Sequence, residues 1–225
     1  MKTMRAFGVL IAAAVALAAC GQPEFHYVRD REGTTYFKVP ASFSRLDPAP
    51  LERMLSGDHP DSASARLREQ LVWSTAYDQA AEPALEHLFG SQDPFVYVTV
   101  HKLTEDQRND MSLNRMRDFI LPVTERTRTA YLTSTLQAGR APVFNNFEPL
   151  LDQELSLDGG AKGVRVRYNY RIGGQVQTFD QTAILDGSGS SLSVMFVSCS
   201  ATCFARRTAE LDQIAASFHL LRLPG

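Results

Sequence analysis

Little in this sequence offers chemistry. Three cysteines, one tryptophan and five histidines stand among 225 residues. The histidines (His26, His59, His87, His101 and His219) are scattered with no pair at ligand spacing, so no closed zinc shell can be read from the sequence. There is no Gly-x-Ser-x-Gly, and Gly187-Ser188-Gly189 reads as turn chemistry, not a nucleophile elbow. Gly159 to Gly163 lacks the Lys-Ser or Lys-Thr pair of a phosphate loop at the right spacing. Asp58 and Asp61 beside His59 form a polar loop, because a lone histidine with flexible carboxylates gives no closed first shell. No repeat, low-complexity tract or linker breaks the chain. These absences leave no catalytic residue to name, no metal site and no implied cofactor.

What is present begins at the N-terminus. Lys2 and Arg5 precede the uncharged stretch Phe7 to Ala16, and Leu17-Ala18-Ala19-Cys20 closes it. The segment is too short and alanine-rich to span a bilayer and reads as an export signal over residues 1–19. Leu-Ala-Ala-Cys resembles the lipobox of bacterial lipoproteins, which implies diacylglycerol on the Cys20 sulfur, cleavage before it, and a lipidated tether over residues 20–24. No later apolar run is long enough to cross a bilayer. The expected location is the outer face of the cell membrane, held there through Cys20.

Cleavage would remove two of 23 basic residues and none of 25 acidic ones, leaving 21 against 25 and a formal charge of −4. That balance gives no footprint for nucleic acid and no polybasic patch for anionic lipid. Residues 25–225 are expected to form a single domain, and thirteen phenylalanines with 44% hydrophobic residues argue for a substantial core.

In this compartment the remaining cysteines can be read. Disulfides persist outside the cytoplasm, and Cys199 and Cys203 are an even pair once Cys20 is lipidated. Three residues separate them, where a thioredoxin-like site has two. A local staple between a strand and a helix is the expectation.

Leu211, Ile214, Ala215 and Phe218 recur at helical spacing and predict an amphipathic C-terminal helix. Upstream, Val164, Val166, Tyr168, Tyr170 and Ile172 alternate with Arg165, Arg167, Asn169 and Arg171, which predicts a strand with one apolar face. Gly173-Gly174 should turn it into a hairpin that pairs Tyr168 with Phe179 and Arg167 with Asp180. A four-residue loop at Asp186 to Gly189 would bring Phe179 opposite Phe196, giving an aromatic row for the last helix to cover. Arg165, Arg167 and Arg171 then stand on the other face. They are either an ordinary solvated or helix-covered face with an ion pair to Asp180, or a candidate docking patch for an acidic partner.

Elsewhere, Phe25 to Arg29 with Thr35 to Val39 read as a hairpin, and Leu71 to Tyr77 and Phe95 to Leu103 as strands. Ser112 should start a helix carrying Leu113, Met116 and Ile120 inward to Pro122, and Glu125 to Gln137 a second helix ending at Gly139.

Leu192 to Val197 followed by Ser198-Cys199, then Leu211 to Phe218, resembles the C-terminal signature of the PsbP-like superfamily. Tyr36-Phe37-Lys38-Val39-Pro40 before Phe43 is similar to its entry strand. Arg108 to Pro122, with Asp110, Ser112 and Arg117, is similar to a segment of uncharacterised actinobacterial lipoproteins of the group. The resemblance covers most of residues 25–222, while Ala49 to Gln92 is longer than the family's usual connection. It implies an α+β fold, an α/β/α sandwich with a central antiparallel sheet and a C-terminal β-meander followed by a helix. It implies no shared catalytic residue, since members are mostly accessory or partner-binding proteins. Three functions follow as expectations: a non-catalytic, lipid-anchored envelope protein with a protein partner, a carrier of a small or lipid-like ligand in a cavity between sheet and helices, or a hydrolase of unknown substrate.

Overall fold

The structure, a computed structural model, describes residues 23–59 and 61–221. Its centre is a seven-stranded antiparallel sheet in the order β3-β4-β5-β9-β8-β7-β6. These are β3 (Ser44–Leu46), β4 (Val72–Asp78), β5 (Phe95–Lys102), β6 (Asn145–Ser156), β7 (Lys162–Ile172), β8 (Gln175–Leu185) and β9 (Ser191–Ser200). A smaller sheet joins β1 (Phe25–Arg29), β2 (Thr35–Pro40) and β10 (His219–Leu220) in the order β1-β2-β10. The helices are α1 (Ala49–Ser56), α2 (Ala63–Leu71), α3 (Glu105–Asp110), α4 (Leu113–Arg117), α5 (Glu125–Gln137) and α6 (Ala201–Ala216). Helices thus lie on both faces of one antiparallel sheet, the expected α+β architecture.

The hairpin at Gly173-Gly174 forms because both glycines hold positive φ, 55° and 85°, which a tight two-residue loop between twisted strands requires. Tyr168 pairs with Phe179 and Arg167 with Asp180. The next turn is longer than expected. Asp186 and Ser191 close it through a backbone hydrogen bond of 3.0 Å, and Asp186 also accepts from the Ser191 N–H and the Ser188 and Ser190 hydroxyls. Phe179 consequently pairs with Ser198, and Gln181 takes Phe196. A slip of two residues keeps every side chain on its face. The aromatic row therefore survives on a diagonal, with ring centroids 5.7 Å apart for Tyr168 and Phe179 and 5.4 Å for Phe179 and Phe196.

The covering of the two faces is a correction. The aromatic row packs with Leu51 of α1 and with Leu88, Leu121 and Val123. The last helix lies on the other face, where Phe204, Leu211, Ile214 and Phe218 meet Val96, Val98, Met195 and Val197 and the small sheet's Phe37 and Val39. The reason is that the arginines occupy that face only on β7, whereas β5 and β9 make it aliphatic through the sheet centre. Alternation along β7 alone does not report this.

Several elements have no counterpart in the sequence reading, among them β3, α3 and β10. Helices α1 and α2 fill the long 49–71 segment; Ser62 caps α2 by accepting from the Ala65 N–H. Strand β6 is a mostly exposed edge with register shifts between Asn145 and Glu148 and between Pro149 and Leu151, which tolerate Pro149 and blur its alternation. Conversely, the Ser112 helix is capped as expected, by Ser112 Oγ accepting from the Arg115 N–H, but it stops at Arg117. The Asp118 carboxylate accepts from the backbone N–H of Val123 and Thr124 at 2.8 and 2.7 Å, and so organises a turn before Ile120 can join the helix.

Candidate functional site

Strand β5 supplies the least expected feature. Its Val96, Val98 and Val100 enter the face under α6, while Phe95, Tyr97, Thr99 and His101 alternate onto the opposite face. That second face begins as core and turns polar toward the strand end. There a half-open cavity of about 170 Å³ is lined by Glu52, Leu55 and Ser56 of α1, Arg68 of α2, Val72 of β4, Tyr97, Thr99 and His101, with Phe119 and Ile120 closing one side.

The polar groups of this cavity are arranged and largely uncharged. Thr99 Oγ1 and His101 Nε2 are 2.9 Å apart, and the His101 ring stands edge-on to Phe119 at 5.0 Å between centroids. Burial, helped by the Arg68 charge, pulls the His101 imidazole down to about 4, so the ring is neutral at pH 7. Burial and then the Glu52 carboxylate push the Tyr97 phenol up to about 12. Both formal charges at the rim have partners. Arg68 pairs with Asp58, and Glu52 accepts from the Ser74 hydroxyl. The Thr99–His101 pair has the outline of a nucleophile and base, yet a ring held near 4 is a weak base at neutral pH, and among the described residues no carboxylate is hydrogen-bonded to it. The arrangement suits binding. Sequence reasoning missed it by treating β5 as one apolar run and His101 as a stray histidine; the signal was the polar phase of the alternation.

The residues singled out from sequence fall elsewhere. Cys20 lies outside the described residues. Cys199 and Cys203 are joined by a disulfide with Cα atoms 6.0 Å apart, both side chains buried. Ser200 between them caps α6 by accepting from the Cys203 N–H, so bridge and cap act on the same strand-to-helix step. Arg165 and Arg167 both donate to Asp180 of β8 and Asp212 of α6. Arg165 reaches the two Asp180 oxygens at 3.0 and 2.7 Å and Asp212 at 2.6 Å. Arg167 donates to Asp180 Oδ2 at 2.9 and 2.6 Å and also to Asp212. Burial alone would raise the Asp212 carboxyl, but the hydrogen bonds and charge of Arg167 and Arg165 outweigh it and hold it below the usual value. Arg171 stands apart and donates to the Gly174 carbonyl. The three arginines do not assemble into one open patch; two of them clamp the last helix to the sheet.

Asp58 of the polar loop serves Arg68, and His59 Nδ1 accepts from the Asp61 N–H. Asp78, fully buried, accepts from the Ala80 and Ala84 N–H groups and bonds His87 Nδ1 at 2.6 Å, which braces the 79–87 loop. Among the described residues no group of three or more His, Cys, Asp or Glu is placed to hold a metal ion, and no helix is long and apolar enough to cross a membrane.

No family model matches the chain, and no curated protein matches it in sequence. Its backbone is similar to the solution structure of cyanobacterial PsbP from Synechocystis sp. PCC 6803, with a TM-score of 0.53 and 12% identity, over 90% of this chain and 96% of that one. The fold is PsbP-like. Two further similarities are lower. LpqN, involved in cell envelope biogenesis of Mycobacterium tuberculosis, has a TM-score of 0.46 at 13% identity over 88% of this chain and 91% of that one. The Saccharomyces cerevisiae Ran-binding protein Mog1p has 0.41 at 10% over 88% and 96%. Within the PsbP-like architecture the cavity lies on the face away from the last helix, under α1 and α2.

Proposed function

We propose that this is an exported, lipid-anchored protein of the cell envelope that works as an accessory factor by binding a protein partner, without catalysis of its own. The anchor rests on Leu17-Ala18-Ala19-Cys20 and the location on the export segment before it. The observation that carries the binding role is α5. A helix in a folded chain is normally stabilised by burying one face, yet none of the thirteen residues of α5 is buried. It presents Leu132 and Leu136, one turn apart and 40% and 63% exposed. Two leucines stacked on an otherwise unburied helix fit an apolar groove on another protein.

The test is site-specific photo-crosslinking in intact cells. A crosslinker at Leu132 or Leu136 is expected to give one adduct of defined mass in the membrane fraction, lost on Leu136→Asp and absent with the crosslinker at Gln153 on edge strand β6. Equal labelling from both sites, or none, would refute the α5 surface. Cys20→Ala should release the protein from the membrane or leave it unprocessed; unchanged membrane fractionation would refute the anchor.

A further inference from the structure

The cavity on β5 has a composition that packing does not account for. Placing polar side chains on an interior face costs free energy unless something uses them. The same face carries Leu51, Leu88, Phe95, Phe179 and Phe196, and β5 itself contributes Phe95 to it before Tyr97, Thr99 and His101 follow in succession. Tyr97 still belongs to that core, and the next two inward positions, Thr99 and His101, exchange apolar side chains for hydroxyl and imidazole, just where α1, α2 and the 119–120 segment leave a space.

We propose that this space is a binding site for a small molecule the size of one ring, carrying a hydroxyl group and no negative charge. Size follows from the cavity. About 170 Å³ is close to the ~150 Å³ of an apolar cavity that takes up benzene. Polarity follows from the walls. Leu55, Val72, Phe119 and Ile120 offer an apolar slot, and Tyr97, Thr99 and His101 form a line of hydrogen-bonding groups along one side of it. The exclusion of anions follows from the rim. Arg68 is already held by Asp58, while Glu52 accepts only from the neutral Ser74 hydroxyl and keeps its charge, so an anion would meet Glu52 without a free countercharge. The hydroxyl has a partner of its own. His101 Nε2 is engaged with Thr99, and the other ring nitrogen has no hydrogen-bond partner among the described residues. This inference does not rest on the partner-binding role, because no residue of α5 lines the cavity.

The experiment is a titration of the isotopically labelled protein at pH 7 with phenol, benzoate and benzylammonium as probes, followed by NMR at His101 and Phe119. Phenol should shift both residues saturably, and benzoate should bind more weakly than either phenol or benzylammonium. His101→Phe should weaken phenol roughly three- to tenfold, the range for one hydrogen bond between neutral groups, while leaving benzene uptake in place. Retained benzene uptake separates loss of the hydroxyl contact from collapse of the cavity, and Thr99→Val should weaken phenol similarly by releasing the ring. Absence of saturable shifts with phenol, benzoate binding as tightly as phenol, or unchanged phenol affinity in His101→Phe would each overturn the assignment.

Discussion

Asp180→Asn tests whether charge, and not only apolar contact, holds the last helix to the sheet. Asp180 is nearly inaccessible, its side chain 1% exposed, and it accepts from both Arg165 and Arg167, whose side chains are 21% and 16% exposed. Removing its charge leaves two half-buried guanidinium groups sharing Asp212, which at 41% exposed is well screened by water. Breaking a buried ion pair on one side costs about 3–5 kcal/mol. Both arginines retain some solvent contact, so a loss of about 3 kcal/mol is expected, against roughly 0.5–1 kcal/mol for Asp212→Asn. Urea unfolding with an unchanged slope would measure it. A second variant isolates the cause: replacing Asp180, Arg165 and Arg167 together by Leu and Met of similar volume should restore most of the loss, because no uncompensated charge remains. An Asp180→Asn loss below about 1 kcal/mol, or one no larger than that of Asp212→Asn, would refute the reasoning. The same geometry decides what charge reversal does. Arg165→Glu places a carboxylate against Asp180 and Asp212 and should unfold the protein readily, whereas Arg171→Glu should change stability by less than about 0.5 kcal/mol.

Phe218→Ala removes a ring only 5% exposed from the core beneath α6 and should cost about 3–5 kcal/mol in the same assay; a loss below ~1 kcal/mol would mean the helix is not docked through that stripe. Converting both Cys199 and Cys203 to Ala opens a bridge of sequence separation 4, so the loss should stay below the ~3 kcal/mol of a 15-residue loop, and non-reduced peptide mapping of the native protein should show one intramolecular disulfide. Acid should destabilise the fold through His101. Its folded value lies near 4, below the ordinary 6.5, so between these the unfolded chain binds the extra proton. Stability should therefore fall as pH drops from about 6.5 toward 4, by on the order of 3 kcal/mol from this group, and His101→Phe should flatten that part of the stability–pH curve.

The C-terminal half could be read from sequence because its signals are local and redundant. Alternation along β7, a double-glycine turn and a helical stripe from Leu211 to Phe218 each constrain the chain independently, and they agree. The register of β8 on β9 slipped by two because three side-chain and backbone bonds to Asp186 enlarge the turn to include Ser190 and Ser191, which turn composition does not show. The face beneath α6 was misassigned for a related reason. Which side of a sheet a helix covers is decided by the strands at its centre, here β5 and β9, and not by the flanking strand whose pattern is clearest. Strand β6 escaped because its bulges and Pro149 break the period that would announce it.

The cavity illustrates a different limit. Tyr97, Thr99 and His101 are each ordinary strand residues, and β-branched or aromatic character is what makes Phe95 to Lys102 recognisable as a strand at all. Read as one run the segment is simply apolar. Separated into its two phases, it carries Val96, Val98 and Val100 before Lys102 on the side of α6 and a sequence of increasing polarity under α1 and α2. That asymmetry gains meaning only when the tertiary structure shows what roofs each phase, since a polar phase facing solvent is the normal state of a half-buried strand. Here the roof includes the two helices of the 49–71 segment. Deleting the two helices as a unit would expose the polar phase to water and abolish the cavity, so α1, α2 and the residues beneath them depend on one another.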